Sequence, residues 1–474
     1  MDKTFAEFKQ DFYSRVKDFS LFDSGEFNLL KVVLDGLKVD YASKGKIRVF
    51  IFSYPFVINL YFFANRLRST FLGGKTSVRK NWIEAVRKIS SRKYITIDPG
   101  GRTLKTEEGI ISFYFGNILK TLGKENVISI VEGRKPNLPE NDLHIAEYNA
   151  LLASACGNLK EEDKEQLKLL RNTYKKIEDS GIFSESEKLN IRIAIQQFFI
   201  QNLFWRNVLR YINPEKVLLW PHYHREGCIA AFREKKIHVI ELQHGLIAAE
   251  DIFYVLPEQV RSVEKKALFA DEIWVYGQFW KDQLLKGAGY EEKQIKISGF
   301  YPVSIVPPEK TVADFKTIFP GKKNILVTTQ TFMHEYFCDY IKFLSADISA
   351  RALPYGIIVK LHPAESPDKY SSLNGLENVK IVNENLDVLF RAVDLHISSY
   401  STTLFDALRF DVPNYSIWVE QYGDYIALFR DEGISRVING KKNPLDFPLA
   451  DKQHKAGNYY YEKFDPSTLK QLLS

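Results

Sequence analysis

Short apolar runs rich in β-branched residues alternate with helical stretches along this chain, and the alternation comes twice. In the first series IRVFIF (47–52), YITI (94–97), VISIV (127–131), VLLW (217–220), HVIEL (238–242) and EIWVY (272–276) read as buried strands. In the second, NILVTT (324–329), GIIVKL (356–361), VKIV (379–382) and DLHIS (394–398) do the same. Between the series lies SGFYPVSIVPPEK (298–310), with one glycine and three prolines, which reads as a linker. Strand–helix alternation predicts parallel sheets with helices on both faces. The expected fold is therefore α/β, with two doubly wound Rossmann-like domains facing each other across a cleft. In such sheets ligands sit beyond the carboxyl ends of the strands, so each functional motif should lie just after a strand.

Length fits this reading, because 474 residues are too many for one ordinary core. Apolar content of 45% and charged content of 26% are ordinary for a globular protein. The net charge of +6 is mild, and no Lys/Arg-rich block resembles a basic arm, so a nucleic-acid partner is not expected. A small positive balance suits an anionic substrate or an anionic membrane surface. Cys156, Cys228 and Cys338 are scattered and match neither a zinc site nor a disulfide framework, which favours a reducing compartment. The N-terminus, MDKTFAEFKQDF, is charged and has no apolar core of a signal peptide, so a cytoplasmic location is expected. The most apolar run, VFIFSYPFVINLYFF (49–63), is interrupted by Pro55 and Asn59 and falls short of the ~20 residues that span a bilayer. It reads as a buried strand and the start of a helix, with a peripheral membrane contact as the alternative. Residues 1–45 and 141–212 read as mostly helical.

Four histidines directly follow an expected strand. WPHYHREG (220–227) brings His222, His224, Arg225 and Glu226 together before Gly227 opens a helix. Titratable groups in a loop at a strand's carboxyl end suit acid–base work, and both His224 and Glu226 are candidates for the base. A solvated loop with a carboxylate at a helix start is the plain alternative. His222 and His224 are two apart with no obvious third ligand, so no metal is expected. Gln243-His244-Gly245 ends the next strand and would lie beside that loop. In KLHPAESP (360–367), Pro363 restricts His362 to an extended conformation, and Lys360 shares its strand register. In DLHISSYSTTLFDALRFDVP (394–413) a strand delivers Ser398, Ser399, Ser401, Thr402 and Thr403 into a helix start, an arrangement suited to phosphate. Thr403 and Asp406 have capping-box spacing, and Asp406 is one turn in, where ribose hydroxyls could be reached. Thr329 and Gln330, with Thr328, follow another strand and would line the same cleft. In ITIDPGGR (95–102), Asp98, Gly101 and Arg102 follow a strand and could approach an acceptor, although a plain turn fits equally. No GxGxxG, GxxxxGK[ST] or GxSxG motif is present.

His362-Pro363 followed by Ser398-Ser399 resembles the two C-terminal motifs of bacterial GT-B glycosyltransferases. These include bacterial sialyltransferases, Kdo transferases of capsule and lipopolysaccharide assembly, and CDP-glycerol glycerophosphotransferases. Arg225-Glu226-Gly227 is similar to the acid-acid-Gly motif of the sialyltransferases, with Arg225 in place of the first acid. Gln243-His244-Gly245 is similar to the His-Gly motif of capsule-type transferases and to a strand end of UDP-N-acetylglucosamine 2-epimerases. The likeness covers roughly residues 215–440.

The resemblance implies a GT-B fold, with an acceptor-binding domain over 1–300, a nucleotide-sugar domain over 301–440, and a tail over 441–474 packing back on the first. It implies an inverting, metal-independent glycosyltransferase of bacterial surface polysaccharide synthesis, using no cofactor beyond a nucleotide-sugar donor, in the first place CMP-linked. A UDP- or GDP-hexose enzyme, a CDP-polyol transferase and a 2-epimerase-like isomerase are the alternatives. The acceptor would be a glycan or lipid-linked glycan, met in the cytoplasm or at the inner membrane face. His362 would contact or protonate the donor phosphate, assisted by Lys360 and Pro363. Ser398, Ser399, Ser401, Thr402, Thr329, Gln330 and Asp406 would complete the nucleotide site. Glu226 or His224 would be the base, and His244 would stabilise the donor or orient that base. Asp98, Gly101, Arg102, His222 and Gln243 would lie on the acceptor side.

Overall fold

The computed structural model describes residues 5–43, 90–98, 103–106, 109–131, 143–144, 160–248, 251–258, 268–287, 289–304, 306–331, 333–447 and 457–474. The strand expected at 47–52, the apolar run 49–63, Cys156, Gly101 and Arg102 lie outside the described residues. The chain forms two compact units, one built mainly on Asp11–His244, Asp251–Val303 and Lys463–Ser474, the other mainly on Ser304–Glu462.

The first unit holds β1 (Tyr94–Asp98), a hairpin of β2 (Thr103–Thr106) and β3 (Gly109–Ser112), then β4 (Val127–Val131), β5 (Leu143–His144), β6 (Lys216–Leu219), β7 (His238–Leu242), β8 (Glu272–Val275) and β9 (Ile295–Ile297). Seven of these form one sheet in the order β5-β4-β1-β6-β7-β8-β9, parallel throughout. β1, β4, β6 and β7 are buried over nearly their whole length, as strands covered on both faces must be. Ile95, Ile97, Val217, Leu219 and Val239 pack in one core with Trp205 and Phe232 from the helices Glu185–Val208 and Glu226–Glu234. From β1 the chain moves outward through β4 and β5, then returns to place β6 on the other side of β1. The strand order reverses between β1 and β6, and that reversal is where a doubly wound sheet binds ligand.

The second unit repeats the plan with β10 (Lys323–Thr328), β11 (Tyr355–Lys360), β12 (Val379–Val382), β13 (Leu395–Ser398), β14 (Asn414–Ile417) and β15 (Arg436–Ile438). Its sheet runs β12-β11-β10-β13-β14-β15, again parallel, and reverses between β10 and β13. Leu326, Ile358, Leu389 and Ala407 form its core on one face.

Several local expectations are corrected. The N-terminal helical stretch is broken: helices Phe5–Arg15 and Leu30–Ser43 flank a short 3₁₀ turn, Phe19–Phe22, capped by Asp18. β9, β14 and β15 were not expected, being three or four residues long, and β14 follows Pro413 directly. Residues 463–474 belong to the first unit: Lys463 bridges Phe300, and the Lys216 ammonium donates to the Leu473 carbonyl. Among the described residues no helix is long and apolar enough to cross a membrane.

One packing contact fixes the position of the 220–226 loop. A Cβ on Gly227 would lie 2.2 Å from the Phe198 carbonyl oxygen and 2.8 Å from the Asn202 nitrogen, both backbone atoms of the helix Glu185–Val208. Gly227 therefore lets two helices touch through their backbones. Gly227→Ala is expected to cost about 1–3 kcal/mol, the usual penalty for overpacking. Urea denaturation should show a lower midpoint with an unchanged slope.

Candidate active site

In the first unit the residues after β6 turn alternately into and out of the protein. His222 is fully buried, and its Nδ1 meets Glu241 Oε2, while Nε2 faces the Phe253 carbonyl oxygen at 3.2 Å. Glu241 is also fully buried, in the middle of the sheet. It accepts from the His222 backbone N–H at 3.2 Å, the Tyr254 hydroxyl at 2.7 Å and the Tyr290 hydroxyl at 3.1 Å. Burial raises the Glu241 pKa, but His222, Tyr254 and Lys31 more than offset it and hold the carboxyl down to about 2. Burial by itself pushes His222 below its usual range, against the charge of Glu241. Both ring nitrogens face acceptors, so only the protonated ring leaves neither unsatisfied, and the pair is an ion pair.

His224 points the other way. Its side chain is 50% exposed, and its backbone adopts a left-handed φ of 61°. Asp35 Oδ2 accepts from the His224 backbone N–H at 2.5 Å and stands 2.9 Å from the ring Nδ1. The Gln201 amide donates to the His224 carbonyl at 2.6 Å. Asp35 is 4% exposed, as is Glu226, which hydrogen-bonds it. No N–H or O–H donor reaches Asp35 Oδ1 or Glu226 Oε1. Burial, then the neighbouring Asp35 charge, pushes Glu226 well above the carboxylate range. Lys31, one helical turn before Asp35, is also buried. Its ammonium donates to the Leu268 carbonyl at 3.1 Å and sits 4.0 Å over the Phe269 ring. Burial brings it down to about 8, with Glu226, Glu241 and Asp35 opposing.

The other expected residues of this unit divide in the same way. His244 is partly buried, stacks on Trp220 with ring centroids 5.2 Å apart, and meets the Tyr223 hydroxyl at Nε2, 2.7 Å away. Burial keeps the Tyr223 phenol protonated. Gln243 is fully buried: its Oε1 accepts from the Tyr276 N–H at 2.9 Å, and its carbonyl accepts from the Tyr301 hydroxyl. Asp98 is 6% exposed and accepts from the Ser112 hydroxyl. Gln243 and Asp98 thus tie segments together, and neither carboxyl-end side chain is turned to solvent.

In the second unit the hydroxyl cluster lies at the reversal between β10 and β13, but much of it is turned inward. Ser398 and Ser399 are fully buried, donating to the Thr328 carbonyl at 2.9 Å and the Ile417 carbonyl at 3.0 Å. Thr328 Oγ1 lies 2.9 Å from His396 Nε2, 3.0 Å from Ser398 Oγ and 2.9 Å from Thr403 Oγ1. His396 Nδ1 meets Asn414 Oδ1 at 2.7 Å. The Thr403–Asp406 capping box does not form. Thr402 is the cap residue without a side-chain bond, and the Thr403 hydroxyl donates to Ser401 Oγ at 2.9 Å. Thr402, Thr403 and Asp406 are partly exposed, and Ser401 is 6% exposed.

His362 is partly exposed at the tip beyond β11. Its backbone N–H donates to Thr329 Oγ1 at 2.9 Å, and its Nδ1 accepts from the Ala364 N–H at 3.2 Å. With Nδ1 accepting, the ring proton sits on Nε2. The Thr329 hydroxyl donates to Glu365, which also accepts from Tyr370 at 2.9 Å. The Gln330 amide donates to the Tyr400 carbonyl at 2.9 Å, and Lys360 donates to Asn383 at 2.9 Å. Pro363 is exposed. Among the described residues no group of three or more His, Cys, Asp or Glu side chains is placed to hold a metal.

Sequence reasoning missed Lys31, Asp35, Glu241 and Glu365. The signal for the first three was charge inside otherwise apolar stretches, LKVVLDGL and HVIEL. Glu365 carried no comparable signal.

No family profile matches the sequence, and no curated protein is detectably similar to it. Solved structures do resemble it in fold. A Listeria monocytogenes protein assigned as a UDP-N-acetylglucosamine 2-epimerase shares 14% identity, with a TM-score of 0.50 over 81% of this chain and 96% of that one. The UDP-GlcNAc 2-epimerase of Methanocaldococcus jannaschii, also 14% identical, gives 0.48 over 81% and 99%. A glycosyltransferase of Rickettsia africae, 11% identical, gives 0.43 over 81% and 97%. The two parallel, doubly wound sheets and the Listeria likeness place the chain in the GT-B class of folds.

Two stability predictions follow from the buried groups. Glu241→Ala, which strands His222 in the interior, is expected to cost about 3–5 kcal/mol in chemical denaturation. Burial pushes His396 from 6.5 down to about 4. The unfolded chain then binds a proton where the folded one does not. This contribution is fully present above about 6.5 and lost as pH falls through about 4, a total of about 3 kcal/mol. Unfolding free energies across that window should fall less steeply in His396→Gln than in the wild type.

Proposed function

We propose that the protein is an inverting glycosyltransferase that uses a nucleotide-sugar donor, of the kind that builds bacterial surface polysaccharide. The observation that carries this reading is placement. An acid–base loop and a hydroxyl-rich loop each lie at the carboxyl end of the strand where its own sheet reverses, after β6 and after β13. The second unit takes the nucleotide. Partly exposed Thr402 and Asp406, and the Nε2–H of His362, offer donors and a carboxylate at one end of one sheet. Ser398 and Ser399 shape that loop from beneath, and His362 acts on the phosphate as a hydrogen-bond donor. The first unit takes the acceptor. His224 is the base, because its ring is half exposed while Glu226 is buried.

In the reaction the acceptor hydroxyl gives its proton to His224 Nε2 as its oxygen bonds the anomeric carbon. The bond from that carbon to the donor phosphate breaks, and the nucleotide leaves with the electron pair. The charge that develops on the phosphate meets His362, so no metal is required. The acceptor is a glycan or lipid-linked glycan, met in the cytoplasm or at the inner membrane face.

A thermal-shift panel of CMP, CDP, UDP and GDP tests the nucleotide site and chooses the donor class. Binding at a hundredfold excess over Kd should stabilise the protein by about 2.7 kcal/mol. His362→Ala should weaken that shift and His224→Ala should leave it intact. With the matching nucleotide-sugar and acceptor, each variant should lose about 10²–10⁴-fold in turnover, and excess EDTA should change nothing. Conversion of UDP-N-acetylglucosamine without acceptor would favour an isomerase instead. Stabilisation by none of the four nucleotides, or near-normal turnover in both variants, would overturn the reading.

A further inference from the structure

His224 is the exposed end of a buried line of charge that begins in the helix Leu30–Ser43. Asp35 Oδ2 contacts both its backbone N–H, at 2.5 Å, and its ring Nδ1, at 2.9 Å. Behind Asp35 stand Glu226, which hydrogen-bonds it, and Lys31. We propose that Asp35 is the positioning residue that makes His224 a base, by locking its neutral ring in the Nδ1–H tautomer with Nε2 free to take a proton, and that Glu226 carries a proton which it shares with Asp35. The proposal rests on the assignment of His224 as the base.

The first half follows from donor and acceptor counting. A carboxylate oxygen accepts and cannot donate, so a ring nitrogen 2.9 Å from Asp35 must carry the proton. The lone pair of the neutral ring then lies on Nε2. When Nε2 takes the acceptor's proton, the imidazolium forms beside a buried carboxylate that stabilises it. The proton returns to solvent from the exposed side of the ring.

The second half follows from what surrounds the two carboxyls. Asp35 Oδ1 and Glu226 Oε1 are buried and meet no N–H or O–H donor of the protein. Two ionised carboxylates in contact would repel and leave both oxygens unsatisfied. One proton between them removes both penalties, and Glu226 is the group whose affinity for it is raised. The charge balance agrees. His222 and Glu241 pair with each other, which leaves Lys31 as the cation facing Asp35 and Glu226, so one proton on that pair of carboxyls balances it. Arg233 lies further along the same group, bonded to the Phe269 carbonyl at 2.6 Å and paired with Asp271 at 3.5 Å. Glu226 is thus held as an acid that keeps Asp35 in place and never reaches the acceptor.

Nitrogen-15 NMR of the full chain labelled at histidine tests the first half, with the His224 ring assigned by comparison with His224→Gln. The neutral ring should be Nδ1–H in the wild type, lose that preference in Asp35→Asn, and recover it in part in Asp35→Glu. An Nε2–H ring in the wild type, or the same tautomer in wild type and Asp35→Asn, would overturn it. Infrared difference spectra test the second half. At neutral pH the wild type should show the carbonyl stretch of a protonated carboxylic acid that shifts in D₂O and is missing from Glu226→Gln. Absence of that band from the wild type would overturn it. Once a donor is known, Asp35→Asn should reduce turnover by about 10²–10⁴-fold with nucleotide binding unchanged. Neither spectrum needs a substrate. An Nδ1–H ring in a chain without transferase activity would keep this inference and sink the proposed reaction, and the opposite pair of results would do the reverse.

Discussion

An ionised carboxylate inside a parallel sheet is among the costliest groups a fold can contain, and the first unit is arranged around one. Glu241 sits in β7 with apolar neighbours, Ile240 and Leu242, on either side. Left without partners it would cost several kcal/mol. Its partners come from three separate segments: His222 from the loop after β6, Tyr254, and Tyr290 near β9. That demand pulls His222 inward. Two residues on, the chain turns outward again and presents His224. The exposed imidazole is therefore placed by an ion pair formed elsewhere in the same loop.

The second unit solves the same placement problem without charge. Beneath its sheet reversal lies a neutral chain from Asn414 through His396 and Thr328 to Thr403 and Ser401. Asn414 gives its amide protons to the Leu404 and Ile434 carbonyls, at 2.7 and 3.3 Å, so its oxygen faces His396. The ring then donates from Nδ1 and accepts at Nε2. Every buried hydroxyl in this chain has a partner, which is what a satisfied polar network needs if it is to fix one loop geometry. Thr402 and Asp406 lie outside this chain and are partly exposed, whereas Ser398 and Ser399 are fully buried. Thr329 does a related task for His362, accepting its backbone N–H while donating to Glu365.

Most of this architecture was legible in the sequence, for a physical reason. A central parallel strand is covered on both faces and so mostly apolar, and VISIV and HVIEL announced β4 and β7 residue for residue. Edge strands are short and half exposed, and IKI and RVI carried no such signature. Placement of His224, His244, His362 and the 398–403 loop at strand ends was legible too, because strand ends are set by local pattern. The inward turn of Ser398, Ser399 and Gln243 was not, since it depends on Thr328, Ile417 and Tyr276, which are distant in sequence. Asp35 was hidden for the same reason, 189 residues away from the histidine it holds.

That distance bears on how firmly the ring is set. His224 has a φ of 61°, a conformation that costs a non-glycine residue roughly 1–3 kcal/mol and persists only where surrounding contacts over-determine it. The contacts are on hand: Asp35 takes the backbone N–H and faces the ring, and Gln201 donates to the carbonyl. One carboxylate thus fixes both the backbone and the side chain of the same residue, so the ring cannot swing without losing the bond that supports its own strained backbone. A glycine would adopt this φ at no cost, and an asparagine at little. Neither offers an imidazole, so neither would meet Asp35 through a ring as well as through the backbone.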